Sequence, residues 1–359
     1  MSSSEIYSSI LCVGITMLVV VAIIPFVKKI AIHIGALDIP NERKVHQKPI
    51  PRLGGLGIFF GFLVGYMLFG KNTDQMNAIL IGSFLIVLTG IFDDIKPIKA
   101  KAKILGQLLS ASSIVFYGNI LLNHITIFGS TIEFGILAYP ITLIFIIACM
   151  NIINLIDGLD GLSGGISSIF YMSVIIICYF MNRTSGLEYV LALIMLGSTL
   201  GFLIHNFNPA RIFAGDSGAL FMGFIIAVIS LLGFKTTVIT SVFIPLMILA
   251  VPILDTLFAI IRRLLKHKHI YDADKEHLHH QLLNMNFSHR TTVLIIYVIN
   301  ILFATASILY TLNDKSDVFI GRIIYAILLV AGIWFVCKTN IITDKKIIIK
   351  KSNKNNKKK

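Results

Sequence analysis

Four short polar stretches interrupt an otherwise apolar chain, and their residue types suit one kind of chemistry. Asn151, Asn154 and Asp157 recur at intervals of three, so a helix would display them on one face. Asp160 follows past Gly158, and Gly161, Gly164 and Gly165 would let backbone or ligand approach closely. Asp93-Asp94 is an adjacent carboxylate pair ahead of Lys96, Lys99, Lys101 and Lys103. Such a pair implies a bound cation, a basic partner or one protonated member. The third stretch runs from His205 through Asn206, Arg211 and Phe213 to Gly215-Asp216-Ser217-Gly218. The fourth, His277-Leu278-His279-His280, lies in a long basic segment, 262–290. Asp216 with Asn154 and Asp157 makes a hard-oxygen set of the kind Mg²⁺ prefers when phosphate oxygens and waters complete its octahedron. Carboxylates, amides and clustered cations together suit an electrostatic clamp on a phosphorylated substrate. Phosphoryl transfer needs positioning and charge neutralisation more than covalent help.

Each stretch also has a plainer reading. Asn and Asp beside Gly make ordinary turns, and Asp216 with Ser217 would cap a following helix, its positive dipole end turned toward an anion. The His run could bind zinc, but no cysteine accompanies it, and contact with phosphate or sugar fits the surrounding Arg and Lys better. The loop Asp38–Gly55 carries three prolines, which exclude a continuous helix, and it displays Lys48, Arg52 and His46 for contact with phosphate. There is no phosphate-binding P-loop, no Ser-His-Asp spacing and no dinucleotide fingerprint.

These stretches must be positioned by membrane helices. Of 359 residues, 56% are hydrophobic and only 14% are charged, with a mean hydropathy of +0.86. Soluble domains are about 25% charged, so the chain reads as an all-α polytopic membrane protein. Runs long enough to span fall near 6–27, 53–70, 76–92, 104–122, 136–155, 164–181, 187–205, 216–234, 238–261, 291–312 and 319–337, eleven in all. Of the 31 basic residues, all but Lys71, Arg183, Lys235, Lys315 and Arg322 fall on one side of these runs. Positive charge marks the cytoplasmic side. This predicts an outside N-terminus, a cytoplasmic C-terminus and an odd number of spans. Every polar stretch then lies on the cytoplasmic face. Residues 1–337 form one catalytic unit, and the Lys/Asn-rich 338–359 reads as a disordered tail. The four cysteines, all inside apolar runs, read as packing residues rather than disulfides. The first run is read as an uncleaved membrane helix rather than a signal peptide.

The four motifs, in this order, resemble those of the polyprenyl-phosphate N-acetylhexosamine-1-phosphate transferases, glycosyltransferase family 4. The resemblance extends from about 38 to 283 and is nearest to the bacterial undecaprenyl-phosphate N-acetylglucosaminyl-1-phosphate transferases of the wall teichoic acid type. It implies a ten- or eleven-helix enzyme of the bacterial plasma membrane. Such an enzyme transfers a sugar 1-phosphate from a UDP-sugar to undecaprenyl phosphate, releases UMP and uses Mg²⁺, with Mn²⁺ as an alternative. By motif, Asp216 resembles the main metal ligand and Asn154 a second, with Asp157 beside the metal and diphosphate. Asp160 resembles the uracil-binding residue, Phe213 the aromatic stacked on uracil and Asn206 a nucleoside contact. Asp93, Asp94 and Lys103 match residues of lipid-phosphate activation, and His277, His279 and His280 match a sugar-recognition loop. Pro51-Arg52-Leu53-Gly54-Gly55 and His277–His280 depart from the muramoyl-pentapeptide branch, which leaves that branch as the alternative. A secondary transporter is the reading from another class; its intramembrane acids would relay ions, but here the acids sit in loops and no inverted repeat is evident. The expected partners are the bilayer and the two substrates, a homodimer stays open, and no nucleic acid is expected.

Overall fold

The computed structural model describes residues 3–40, 48–127, 130–234, 249–265 and 277–312, with isolated positions between 323 and 334. Arg43, Lys44, His46, Lys266, Lys268, Lys275, most of the run 319–337 and the tail 338–359 lie outside the described residues. The helices are α1 (Ser3–His33), α2 (Gly54–Phe69), α3 (Asp74–Ile95), α4 (Ala100–Ser112), α5 (Ala138–Ile156), α6 (Leu162–Phe180), α7 (Leu187–Asn206) and α8 (Gly215–Phe234). They are followed by α9 (Ala250–Leu265), α10 (Leu278–Asn284) and α11 (His289–Leu312). Among the described residues ten of the eleven apolar runs coincide with these helices in whole or in part, and the described positions of the run 319–337 are helical as well. Among the described residues, seven helices are long and apolar enough to cross a membrane, and α2 is a shorter apolar helix. The protein is a polytopic, mostly helical membrane protein.

The arrangement centres on α8. Its apolar stretch is buried throughout, walled by α3, α5, α2, α7 and α6, whereas α1 shows most of its surface outward. α1 packs along α7 and α2, and α6 lies between α7 and α11. Lipid is as apolar as leucine, so helix association here rests on close packing rather than on hydrophobic segregation. Small residues provide it. Gly57, Gly61 and Gly65, one per turn, line the face of α2 that meets Val20 and Ile24 of α1 and Ile194 and Ser198 of α7. Gly197 and Gly201 of α7 lie directly against the backbone of Val13 and Met17 of α1.

Two differences from the sequence expectation matter for the site. α3 continues to Ile95, so Asp93 and Asp94 lie in its last turn rather than in a loop, and α4 begins at Ala100, which places Lys103 on a helix. The predicted span 104–122 is α4 prolonged by a π-helical turn, Ser113–Tyr117. The proline-containing loop is closed by a two-stranded antiparallel ladder, β1 (Leu37–Asp38) with β2 (Ile50–Pro51), in the register Leu37↔Pro51 and Asp38↔Ile50. A second hairpin, β3 (His124–Ile127) with β4 (Ser130–Glu133), connects the other end of α4 to α5.

The packing predicts a contrast between two glycines. A Cβ at Gly201 would press on the Met17 carbonyl, which cannot rotate away, while one at Gly14 meets nothing within 4 Å. Gly201→Ala should destabilise by about 1–3 kcal/mol, and Gly14→Ala should not. The thermal midpoints of the detergent-purified variants measure this.

Candidate functional site

The N-terminus of α8 is the floor of the site. A helix start leaves backbone N–H groups unpaired, and here a side chain from another helix supplies the acceptors. Asp94 Oδ1 accepts the Asp216 N–H at 2.8 Å, and Asp94 Oδ2 accepts the Ser217 N–H at 3.1 Å and the Ser217 hydroxyl at 2.7 Å. The sequence-based expectation that Asp216 and Ser217 would cap α8 themselves is thereby revised: Asp94 is the cap, and the Asp216 side chain is left to face the site. Gly215 makes this possible. Its φ of +69° suits glycine, and a Cβ there would collide with the Asp94 carboxylate. The approach of α2 and α3 is equally close. A Cβ at Gly55 would enter the backbone of Gly218, and one at Gly90 the backbone of Ser217.

The segment before α8 is pinned by backbone bonds to the start of α2. The Phe213 N–H donates to the Pro51 carbonyl at 2.8 Å, and the Gly54 and Gly55 N–H groups donate to the carbonyls of Phe213 and Ala214 at 2.8 and 2.9 Å. The first N–H groups of α2 are thereby satisfied, and Arg52 is carried to the α8 terminus. Its guanidinium lies 3.4 Å from Asp38 Oδ1, 3.5 Å from Asp94 Oδ1 and 3.6 Å from Asp216 Oδ1. Lys103 approaches from α4, contacting Asp216 Oδ2 and lying 3.7 Å from Asp93 Oδ2. Burial lowers the pKa of this ammonium, and the nearby Asp93 and Asp94 oppose that shift.

α5 brings the amide row. Asn154 Nδ2 donates to Asp216 Oδ1 at 3.1 Å. Asn151 is turned elsewhere: it exchanges two hydrogen bonds, 3.0 and 3.1 Å, with Gln107 and so clasps α5 to α4. Asp157 ends α5 and accepts a hydrogen bond from the Ser163 hydroxyl. Desolvation pushes its carboxyl up to about 7, against the lowering effect of Ser163 and Arg52.

Around Arg52 and Lys103 stand five carboxylates: Asp38, Asp93, Asp94, Asp157 and Asp216. That surplus of negative charge, with hard oxygen donors only, has the chemistry of a divalent-cation site. No group of three His, Cys, Asp or Glu among the described residues could enclose a metal by itself. Mg²⁺ in general keeps several waters and shares substrate phosphates rather than sitting in an all-protein cage. Asp216 and Asn154 fit as its protein ligands once the Asn154 amide is turned to present its oxygen, an orientation assigned rather than observed for any amide.

The fourth polar stretch, with His277, His279 and His280, closes over the 157–161 loop. Asp255 on α9 accepts the Leu278 N–H at 2.8 Å and lies 3.1 Å from His277 Nδ1. His277 and His279 stack 5.7 Å apart, and His280 lies 4.3 Å beyond. The His279 ring covers Gly158, where a Cβ would meet its Nε2 at 2.7 Å. Desolvation, reinforced by His280, lowers the His279 pKa to about 3. His289 Nε2 accepts the Asp160 N–H at 2.9 Å, and the Tyr297 hydroxyl donates to the Gly161 carbonyl. Asp160 Oδ2 accepts from Asn208 Nδ2 at 2.8 Å and from the Ala210 N–H at 3.0 Å. Asn206 is buried, with Oδ1 accepting the Gly161 N–H and Nδ2 donating to the Ile212 carbonyl, both at 2.9 Å. Arg290 Nε donates to the Asn208 carbonyl at 2.9 Å.

The structure therefore brings Asp93, Asp94, Lys103, Asn154, Asp157 and Asp216 into one cluster. Asp160, Asn206 and the three histidines form an adjoining cluster, joined to the first by the 157–161 loop. Lys48 and Arg211 are exposed. Sequence reasoning offered Arg52 only as one of several loop cations for phosphate and did not foresee its place at Asp216. It also passed over Asp255, whose signal was a lone carboxylate in an apolar run. Ser163, Gln107, Asn208, His289 and Tyr297 carried no local signal.

Comparison with known proteins follows the same residues. Residues 76–234 match the model of glycosyl transferase family 4. The chain is 42% identical, over 82% of its length and 82% of the relative's, to a Bacillus subtilis (strain 168) protein named "Probable undecaprenyl-phosphate N-acetylglucosaminyl 1-phosphate transferase". It is 32% identical to a Mycobacterium tuberculosis (strain CDC 1551 / Oshkosh) decaprenyl-phosphate N-acetylglucosaminephosphotransferase, over 84% of this chain and 82% of that one. It is 30% identical, over 75% of each chain, to a Salmonella typhi undecaprenyl-phosphate alpha-N-acetylglucosaminyl 1-phosphate transferase.

The His279 environment predicts a pH dependence of stability. Its native pKa is depressed, so below its ordinary value of 6.5 the unfolded chain takes a proton that the native protein refuses. Stability is full above about pH 6.5 and declines as pH falls toward 3. The loss from this group is at most about 1.4 kcal/mol per pH unit. His279→Gln should flatten the fall of the thermal midpoint between pH 6.5 and 5; an unchanged slope would assign the acid sensitivity elsewhere.

Proposed function

The chain belongs to glycosyl transferase family 4, and from that premise we propose that it transfers N-acetylglucosamine 1-phosphate from UDP-N-acetylglucosamine to undecaprenyl phosphate, releasing UMP. The names of three relatives, each at least 30% identical, support this donor and acceptor class. The observation that carries the reading is Asp216, held at a helix N-terminus between Asn154 and the two cations Arg52 and Lys103. An anionic diphosphate needs such a place.

In this reading Asp216 and Asn154 would hold Mg²⁺. When bound, the ion neutralises charge on the phosphoryl group under attack and on the leaving phosphate. An oxygen of the lipid phosphate attacks the phosphorus bonded to the sugar. The bond from that phosphorus to the oxygen bridging toward uridine breaks, and UMP departs with the electron pair. Asp93 lies beside Lys103 with its carboxylate partly exposed. It accepts any proton the lipid phosphate still carries, while Lys103 offers positive charge to that phosphate. Asp94 acts through Asp216 as a positioning residue, since three donors already occupy its oxygens. Asp157 stands beside the diphosphate. Asp160 and Phe213 hold the uracil, Asn206 fixes the loop on which Asp160 rides, and His277, His279 and His280 face the sugar. Lys48 and Arg211 add positive charge at the rim.

Eleven spans, an outside N-terminus and a site on the cytoplasmic face of the plasma membrane complete the reading, supported by the bias of basic residues. The product enters cell-wall glycopolymer synthesis, teichoic acid in our reading, as its first lipid-linked intermediate. The departures from the muramoyl-pentapeptide motifs support this.

Purified protein supplied with UDP-N-acetylglucosamine, undecaprenyl phosphate and Mg²⁺ should release UMP. Excess chelator should abolish turnover, and Asp216→Asn should reduce it by at least about a hundredfold with unchanged yield. Full turnover in chelator would remove the metal assignment, and turnover only with a muramoyl-pentapeptide donor would move the chain to the other branch. Transport without UMP release would make it a carrier. A reporter fused after Lys359 should be active only in the cytoplasm; activity only outside would invert the topology.

A further inference from the structure

The two oxygens of Asp216 meet different cations. Oδ2 faces Lys103, which Asp93 shares, and Oδ1 faces Arg52, which Asp38 and Asp94 share. Two anionic substrates approach this carboxylate in the proposed reaction, and the site holds one cation on each side for them. Lys103 belongs to the α3–α4 side with Asp93. Arg52 belongs to the other: its neighbour Pro51 accepts the Phe213 N–H, and its own N–H donates to the Ala36 carbonyl at 3.0 Å. The backbone of Arg52 therefore runs beside the segment that carries Phe213, while its guanidinium reaches Asp38, Asp94 and Asp216.

Arg52 also faces more acceptors than it needs. Asp94 is satisfied by two backbone N–H groups and a hydroxyl, independently of Arg52. Asp38 stays within reach through the β1–β2 ladder, which fixes residues 38 and 50 opposite each other, two positions from Arg52. Asp216 Oδ1 is the contact a divalent cation would take over, because Asn154 meets the same oxygen. A guanidinium released there while held by Asp38 presents a planar fork of donors, the geometry that suits phosphate oxygens.

We propose that Arg52 is a phosphate-binding residue for the diphosphate of the nucleotide sugar, that Asp38 positions it, and that in the ligand-free protein it competes with the divalent cation for Asp216. This rests on the transferase reading for the identity of the nucleotide, but not for the competition. The ligand chemistry is a phosphoryl oxyanion, and the adjacency to Phe213 assigns it to the nucleotide rather than to the lipid.

The test is direct binding to the full-length protein in detergent, with Mn²⁺ as the metal probe followed by its paramagnetic resonance. Arg52→Gln should tighten Mn²⁺ binding by about two- to fivefold, because a positive neighbour is gone. The same variant should weaken UDP binding by roughly ten- to a hundredfold while changing UMP binding much less. Asp38→Asn should weaken both Mn²⁺ and UDP, since an untethered Arg52 rests on Asp216, and Arg52→Lys should recover Mn²⁺ binding to the wild-type value but UDP binding only partly. A merely structural Arg52 would lose Mn²⁺, UDP and UMP together, and that result overturns the proposal. Unchanged UDP affinity with a raised KM for undecaprenyl phosphate overturns the assignment to the nucleotide. If the wild type binds UDP and Mn²⁺ but releases no UMP from UDP-N-acetylglucosamine, the transferase reading fails while the competition between Arg52 and the metal is still measured.

Discussion

A helix that begins inside an apolar bundle must have its first N–H groups satisfied by something other than water, and at α8 that something is Asp94. The requirement is severe because an unpaired buried donor costs about 1–3 kcal/mol and no solvent can substitute. Meeting it from α3 ties two distant segments of the chain together and leaves the Asp216 carboxylate unoccupied by capping. The reacting groups then follow from one bond pattern. α3 brings Asp93 one residue before the cap, and the return of the chain through 96–99 brings Lys103 to the opposite oxygen of Asp216.

Close approach is the second condition. Gly55, Gly90 and Gly218 let the starts of α2 and α8 and the end of α3 meet backbone to backbone, and the segment 213–214 supplies the carbonyls that the first N–H groups of α2 require. The site is therefore built by satisfying two helix N-termini, that of α2 with the carbonyls of 213–214 and that of α8 with the Asp94 carboxylate from the end of α3. The polar side chains that remain, Arg52, Asn154, Asp157, Asp216 and Lys103, are the ones capping did not consume. With Asp38, Asp93 and Asp94 counted beside them, five carboxylates surround two cations.

The histidine segment obeys a different logic. Asp255 rises from an apolar helix to hold His277 and the first N–H of α10, and the His279 ring settles on Gly158, where no side chain intervenes. A neutral His279 is the form such burial favours, so the contact it offers is a hydrogen bond rather than a charge. His289 and Tyr297, from the start of α11, hold the same 157–161 loop from another direction. Precision in that loop comes from partners more than a hundred residues away.

Much of this was legible in the chain alone. Length and hydropathy of the apolar runs determine helices, because a backbone in lipid has few other ways to satisfy itself. Ionisable and amide residues at the ends of such runs mark the site, because their desolvation has to be repaid by function or partners. Asp216, Asn154, Asp157, Asp93 and Lys103 were singled out on that ground, and the motifs they form indicated the family. What the chain could not disclose was which of these residues would serve the fold. Asp94 and Asp93 are identical and adjacent, yet one closes a helix and the other lies beside Lys103; Asn151 and Asn154 lie one turn apart, yet one clasps Gln107 and the other meets Asp216. Arg52 was one of several loop cations read as phosphate contacts, and nothing in the chain marked it as the one that reaches Asp216. Hydrogen bonds and ion pairs between segments far apart in sequence make these distinctions, and their geometry exists only after the helices have packed.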